Sequence, residues 1–237
     1  MTSVPAPTPD HPLPSSDEKP RVVEEMFDRI APRYDLLNRT LTFGMDVTWR
    51  RRAVVSLALP PGSRVLDVAC GTGDLCRDLA RAGLAAVGLD FSMGMLRAAR
   101  TGAPLVRGDA LCTPFADATF DGVTCGFALR NFAALAPVLD EMARVLRPGG
   151  RLALLEVAEP TGGVVRAVHS VWFRRVVPFV GGLVSDRSAY TYLPASTAYL
   201  PPPMELLSLI GAHGFESVSR TVLGFGAAQL LTGARSS

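Results

Sequence analysis

Residues 65–74 read VLDVACGTGD. Val65-Leu66-Asp67-Val68 has the aliphatic and β-branched content of a buried strand, Ala69 to Gly73 form a small-residue turn, and Asp74 opens a helical pattern. A strand that delivers the chain through a glycine turn into a helix is the start of a parallel sheet, because parallel neighbours need a crossover. In such sheets ligands sit beyond the carboxyl ends of the strands, and the first strand-to-helix turn is the usual cradle. Gly71 and Gly73 suit that use: they adopt dihedrals closed to other residues and let a ligand reach the backbone.

Working outward, the pattern predicts a strand over 64–69, a helix over 74–82, a strand over 85–90, a helix over 92–100 and a strand over 104–108. A strand over 120–127, a helix over 134–146, a turn at Arg147-Pro148-Gly149-Gly150 and a strand over 151–157 follow. SVSRTVLGFG (217–226) and AAQLLTGAR (227–235) read as two strands joined tightly, hence an antiparallel hairpin at one edge. The expectation is an α/β, Rossmann-like, mostly parallel seven-stranded sheet with that edge hairpin and a helical cap. Upstream, Val22, Val23, Met26, Phe27 and Ile30 share one helical face, which Pro32 ends or kinks. The roughly sixty proline-broken, aromatic residues between 157 and the hairpin are too long for a plain loop. They read as a lid, giving a single domain over 21–237 with its cap at about 21–50 and 159–210. Residues 1–20, with six prolines and no apolar run, read as a disordered tail rather than a targeting peptide.

Composition removes several functions. A net charge of +2 and no long basic run argue against nucleic acid, Trp49-Arg50-Arg51-Arg52 being the nearest approach. Cys70, Cys76, Cys112 and Cys125 match no zinc spacing and read as reduced thiols of a cytoplasmic protein, with no metal expected. No window is long and apolar enough to span a membrane; the stretch near 164–183 is broken by Arg166, Arg174, Arg175 and Pro178. Lys19 is the only lysine and is assigned to the tail, so chemistry needing a lysine inside the fold is set aside.

Seventeen residues beyond Gly73 the second strand ends at Asp90, where a carboxylate can take both hydroxyls of a ribose. A dinucleotide fingerprint would need glycine where Cys76 stands. Asp109 closes the third strand, where it can accept from an adenine amino group, with Ala110 beside it. Asp67, Gly71, Thr72, Gly73, Asp90 and Asp109 in this order make the pattern of an S-adenosylmethionine site, the amino-acid end on the glycine turn. Gly126, at the end of the fourth strand, completes the cofactor candidates.

With these residues the chain resembles the class I S-adenosylmethionine methyltransferases, and more narrowly the ubiquinone/menaquinone biosynthesis C-methyltransferase family, over about residues 22–235. The narrower resemblance rests on YDLLNRTLTFGMDVTW (34–49), FALRN (127–131), RVLRPGGRLALLEVA (144–158) and YTYLPAS (190–196). It implies methylation of a ring carbon on a reduced, prenylated quinone, in the menaquinone branch demethylmenaquinol. The hydroxyl beside that carbon must lose its proton, so a base or a held water is needed. The resemblance gives that role to Arg130 and Asn131, against a plain salt bridge for Arg130. It has Tyr34, Asp35 and Asn38 close over the cofactor and ring. Tyr190, Tyr192 and Ser196 would line the acceptor pocket, and Trp172 would grip the prenyl tail or touch the membrane surface. A lipophilic quinol partner, peripheral membrane contact and a homodimer are the associations it allows. His169 and His213 read as structural and exposed, respectively.

Departures gather on the acceptor side. Asp46 stands where the family carries histidine, an acid in place of a base, and is kept as a candidate catalytic group. Gly126 and Ala158 replace hydroxyl residues, and Ala198 replaces an arginine. The acceptor therefore stays open between a quinol and another aromatic or polyketide, the latter methylated on carbon, oxygen or nitrogen. A non-catalytic cofactor-binding protein is the rival from another class.

Overall fold

The computed structural model describes residues 18–158, 160 and 196–237, the side chain of residue 198 apart. Its first segment is helical: α1 (Lys19–Ile30), a 3-10 turn (Ala31–Arg33), α2 (Tyr34–Leu41) and α3 (Met45–Ser56). Pro32 falls in the turn, as a residue without an N–H should. Alternation then begins with β1 (Arg64–Val68), α4 (Asp74–Arg81), β2 (Ala85–Asp90), α5 (Met93–Ala98) and β3 (Leu105–Arg107). It continues with β4 (Phe120–Gly126), α6 (Leu135–Val145), β5 (Leu146–Val157), α7 (Pro203–Ala212), β6 (Phe215–Leu223) and β7 (Ala228–Arg235).

The seven strands lie in the order β3-β2-β1-β4-β5-β7-β6. β1 pairs in parallel with both β2 and β4, so the chain reverses its direction of travel across the sheet between them. The crevice beyond Val68 and Gly126 is thus the topological switch point, where such sheets hold ligands. β7 runs antiparallel to β5 on one side and β6 on the other. The hairpin therefore enters the sheet through β7, and only β6 forms the edge.

Side-chain alternation sorts the strands onto two cores. Leu66, Val123, Leu152, Leu154 and Leu231 face one, with Met142 and Ile210 from α6 and α7. Val65, Ala153, Leu155 and Leu230 face the other, with Trp49, Ala53, Leu75 and Leu79 from α3 and α4. A third cluster, Met26, Ile30, Leu37 and Met95, docks the amino-terminal helices against α5. Three expectations shift. The turn at 147–150 is a bulged entry to β5, with Leu146 already paired to Phe120. Residues 203–210, assigned to the cap, fall in α7, whose Leu206 and Ile210 belong to the sheet's core.

The third concerns Lys19, which is not tail. It is the first residue of α1, buried at 3% exposure. Its Nζ donates to the Phe132 carbonyl at 2.7 Å and stands 3.6 Å from the centre of the Tyr199 ring. Burial lowers its pKa to about 8. A lysine does lie inside the fold; it follows neither the glycine turn nor a tyrosine four residues earlier, so phosphate-loop and short-chain dehydrogenase chemistry stay excluded by spacing.

Candidate active site

A cleft opens at the switch point. Its floor is the glycine turn, closed by Gly73 N–H donating to Cys70 O at 2.9 Å. Gly71 and Gly73 sit at φ +55° and +79°, where a side chain would be strained, and a Cβ on Gly73 would meet Thr101 Cγ2 at 2.7 Å. A Cβ on Gly71 would enter open space, so that backbone is free for a ligand to approach.

Asp90 is 8% exposed and takes two backbone N–H groups, Gly71 at 2.7 Å and Ser92 at 2.8 Å. These bonds tie the end of β2 to the glycine turn and leave further lone pairs on each oxygen. Burial pushes its carboxyl up to about 6, against those hydrogen bonds. Asp67, at the end of β1, is 1% exposed; it accepts from Thr124 Oγ1 at 2.8 Å and Cys76 Sγ at 3.5 Å. Burial raises it to about 7. Asp109 lies exposed at the rim and accepts from Leu111 N–H at 2.9 Å, while Ala110 is buried in the wall. Gly126 also lines the cleft, and a Cβ there would meet the flexible Leu75 Cδ1 at 2.8 Å. The cofactor candidates other than Gly73 share one cavity wall; Gly73 shapes the turn beneath it.

The opposite wall comes from the amino-terminal helices. Pro20, Val23, Glu24 and Phe27 of α1 and Tyr34 and Asn38 of α2 line it. Thr72 Oγ1 hydrogen-bonds Asp35, joining α2 to the glycine turn. α1 is pinned from below: Asp28 accepts from Ser92 Oγ at 2.5 Å and Gly94 N at 2.8 Å, and Glu24 pairs with Arg107 at 3.0 Å. Burial raises the Tyr34 phenol above its ordinary pKa, against the field of Arg130, so the group is held as a donor.

Arg130 and Asn131 follow β4 together but differ in exposure to the cleft. Arg130 is 4% exposed and does not line it. Its Nη1 pairs with Glu156 and donates to Phe127 O at 2.8 Å, Nε donates to Ser196 Oγ at 3.2 Å, and its backbone N–H reaches Glu156 Oε2 at 3.3 Å. Asn131 does line the cleft, and its buried Oδ1 has no hydrogen-bond partner among the described residues. A buried acceptor without a donor is costly, which is the mark of an atom that waits for a ligand.

Asp46 is not presented to the cleft. At 1% exposure it accepts from Thr42 Oγ1 at 2.8 Å and pairs with Arg50 Nη1 at 2.5 Å. Its oxygens serve a buried ion pair rather than a proton transfer. Ser196 is buried against Arg130; Tyr190, Tyr192, Trp172 and His169 lie outside the described residues. Glu156, Arg50 and Asp28 carry contacts that sequence reading did not assign. Only Glu156 left a signal, as an acid ending the strand of LLEVA.

An acid-lined cleft at the switch point, with one buried amide oxygen unpartnered and a Gly71 backbone that a ligand can approach, defines a Rossmann-like methyltransferase of the S-adenosylmethionine-dependent class. Solved structures agree on the fold alone. The methyltransferase in the Haloferax volcanii complex with the Trm112 activator superposes with TM-score 0.62 at 18% identity, over 88% of this chain and 98% of its own. A Thermotoga maritima S-adenosylmethionine-dependent methyltransferase gives 0.62 at 19% identity, over 89% and 98%. The chain belongs to the ubiE/COQ5 methyltransferase family, whose sequence model matches residues 15–235. It is 48% identical to the demethylmenaquinone methyltransferase of Thermus thermophilus, over 89% of this chain and all of that one. Against the enzyme of the same name from a Roseiflexus species it is 44% identical over 93% and 96%. Against the ubiquinone/menaquinone biosynthesis C-methyltransferase UbiE of Geobacter sulfurreducens it is 42% identical over 91% and 89%.

Proposed function

We propose that this chain methylates a ring carbon of a reduced, prenylated quinone, converting demethylmenaquinol to menaquinol with S-adenosylmethionine as donor. The observation that carries the acceptor is identity of 44–48% to enzymes named for demethylmenaquinone, spread over about nine-tenths of the chain. The bound cofactor would supply an electrophilic methyl on a sulfonium. Asp90 would take the ribose, the wall at Asp109-Ala110 the adenine, and the glycine turn the amino-acid end.

The chain's own residues would then prepare the acceptor. The unpartnered Oδ1 of Asn131 accepts from the ring hydroxyl or from a water that removes its proton, and the Tyr34 phenol donates to the oxygen as charge develops. Arg130, spent on Glu156, Phe127 and Ser196, acts through position: it fixes the 129–131 turn so that Asn131 faces the cleft. Phe27, Phe132, Val23 and Pro20 make one side of the cleft apolar, which suits a naphthalene ring and excludes water from the phenolate. A prenylated acceptor resides in a bilayer, so the enzyme would act as a cytoplasmic protein at the membrane surface.

The test is mass spectrometry of the purified protein with S-adenosylmethionine and a chemically reduced 2-prenyl-1,4-naphthoquinone. One added ring methyl is the expected result. Cofactor binding without product on that acceptor would refute the quinol assignment and favour another aromatic.

A further inference from the structure

Arg50 stands apart in the cleft. Six charged side chains line it among the described residues: Glu24, Asp67, Asp74, Asp90, Asp109 and Arg50. Five acids suit a ligand with positive charge, and a sulfonium and an α-ammonium supply two. The same ligand carries one carboxylate, which every charged wall residue but one repels. We propose that Arg50 is the receptor for the carboxylate at the amino-acid end of the cofactor, and that Asp46 and Asp78 are the residues that hold it in place. The inference rests on the site being an S-adenosylmethionine site.

The geometry supplies the position. Arg50 comes from the middle of α3 and reaches α4, the helix that leaves the glycine turn. Its Nε donates to Asp78 Oδ2 at 3.1 Å, Nη1 to Asp46 Oδ2 at 2.5 Å, and Nη2 lies 3.0 Å from Asp74 Oδ2. Asp74 is the first residue of α4, directly after Gly73. The guanidinium is thus fixed beside the turn expected to take the amino-acid end. An arginine has five N–H donors, and these contacts use three, leaving one on each terminal nitrogen. Two such donors in one plane match the two oxygens of a carboxylate.

Charge balance is consistent with the assignment. Arg50 is 5% exposed, Asp46 1% and Asp78 5%, so the guanidinium cannot swing without leaving buried carboxylates unpaired. Asp78 also takes Arg81 at 2.8 Å, and Asp74 also pairs with Arg77. With Arg39 at 3.8 Å from Asp74 and Asp35 at 3.9 Å from Arg77, four arginines face four aspartates. A zwitterionic amino-acid group adds no net charge to that set. The clamp is built before the ligand arrives, which removes the cost of ordering a long side chain on binding. It also gives Asp46 a use: it is a positioning residue for Arg50.

The test removes the carboxylate from the ligand and the guanidinium from the protein in turn. Calorimetry would give Kd on wild type and Arg50→Met for S-adenosylhomocysteine, for its decarboxylated analogue and for methylthioadenosine. Wild type should prefer S-adenosylhomocysteine over the decarboxylated analogue by about 10- to 100-fold, the range of a charged hydrogen-bonded pair. Arg50→Met should abolish that preference while binding the other two ligands as wild type does. A parallel loss for all three ligands, or an undiminished preference, overturns the assignment. Should Arg50→Met fail to fold, Asp46→Asn serves: it weakens the hold on Nη1 and should narrow the preference while methylthioadenosine binds as it does to wild type, and an unchanged or wider preference overturns the proposal. If no adenosine-bearing ligand binds wild type, the cofactor reading itself fails; if all bind without regard to the carboxylate, only Arg50 is misassigned.

Discussion

At the scale of single residues, neighbours in sequence serve opposite ends of the chemistry. Asn131 lines the cleft and has a buried acceptor with no partner among the described residues, whereas Arg130 has its polar contacts inside the protein. Asn131→Ala should therefore leave S-adenosylhomocysteine affinity within about twofold and lower kcat by about 10²-fold, the usual scale for one oxyanion or acid-base contact, in steady-state assays with the quinol. Glu156→Leu should act on stability instead. It leaves a buried guanidinium unpaired at a cost of about 3–5 kcal/mol, seen as a lower midpoint in urea.

Asp67 and Asp90 give the pH dependence. Both have folded-state values raised by burial, to about 7 and about 6, above their unfolded values. The folded protein then binds more protons than the unfolded chain from about pH 4 upward. Their contribution is most favourable at low pH and is lost as pH rises through about 6 to 7. Ligand-free protein should melt progressively lower between pH 5 and pH 8 on account of these two groups, and Asp67→Asn should flatten that slope in thermal scans.

At the scale of elements, the sheet and its glycine turn were legible because their determinants are local. Val65 to Asp74 carries the strand, the turn and the helix start within ten residues, and Asp90 ends β2, while Asp109 lies two residues past the end of β3 at Arg107. What was not legible depends on distant pairs. Lys19 meets a carbonyl 113 positions away, Arg130 a carboxylate 26 away, and Arg50 one 28 away, and no periodicity encodes these. Lys19 closes a proline-rich, polar stretch whose composition reads as a tail; tertiary contacts override it. Asp46 read as a candidate catalytic group because a substitution at a motif position draws attention to chemistry, while its partner sat one helical turn on.

The same reasoning applies to α1, which is held by polar contacts at Asp28 and Glu24 as well as by the buried apolar face of Met26 and Ile30. A Cβ at Gly94 would lie 2.7 Å from Asp28 Oδ1, so the two elements meet backbone to side chain. Asp28→Ala should raise hydrogen exchange across residues 19–30 by about tenfold while the strands keep their protection. An unchanged pattern would show that the apolar contacts of Met26 and Ile30 suffice.

At the scale of the whole molecule, the cleft is shared by segments far apart in the chain, so filling it should couple them. S-adenosylhomocysteine at about 100 times its Kd adds about 2.7 kcal/mol of stability, which for a chain of this size is a rise in Tm of roughly 5–11 °C. NAD should give none, because Cys76 occupies the position where a dinucleotide turn needs glycine. The antiparallel β7 contributes to the same integration. By pairing with β5 along seven residues it carries the carboxyl-terminal strand into the sheet, on the far side of β4 and β5 from β1 and the glycine turn.

The burial of Lys19 has a practical corollary. With no other lysine in the chain, an amine-specific acylating reagent has one side-chain address, under the first turn of α1. The amine is reactive enough near neutrality, yet covered by Phe132 and Tyr199. Its acylation rate becomes a clock for how often the amino-terminal wall lifts off, readable as the mass increment on the peptide that carries Lys19, and a bound cofactor should slow it.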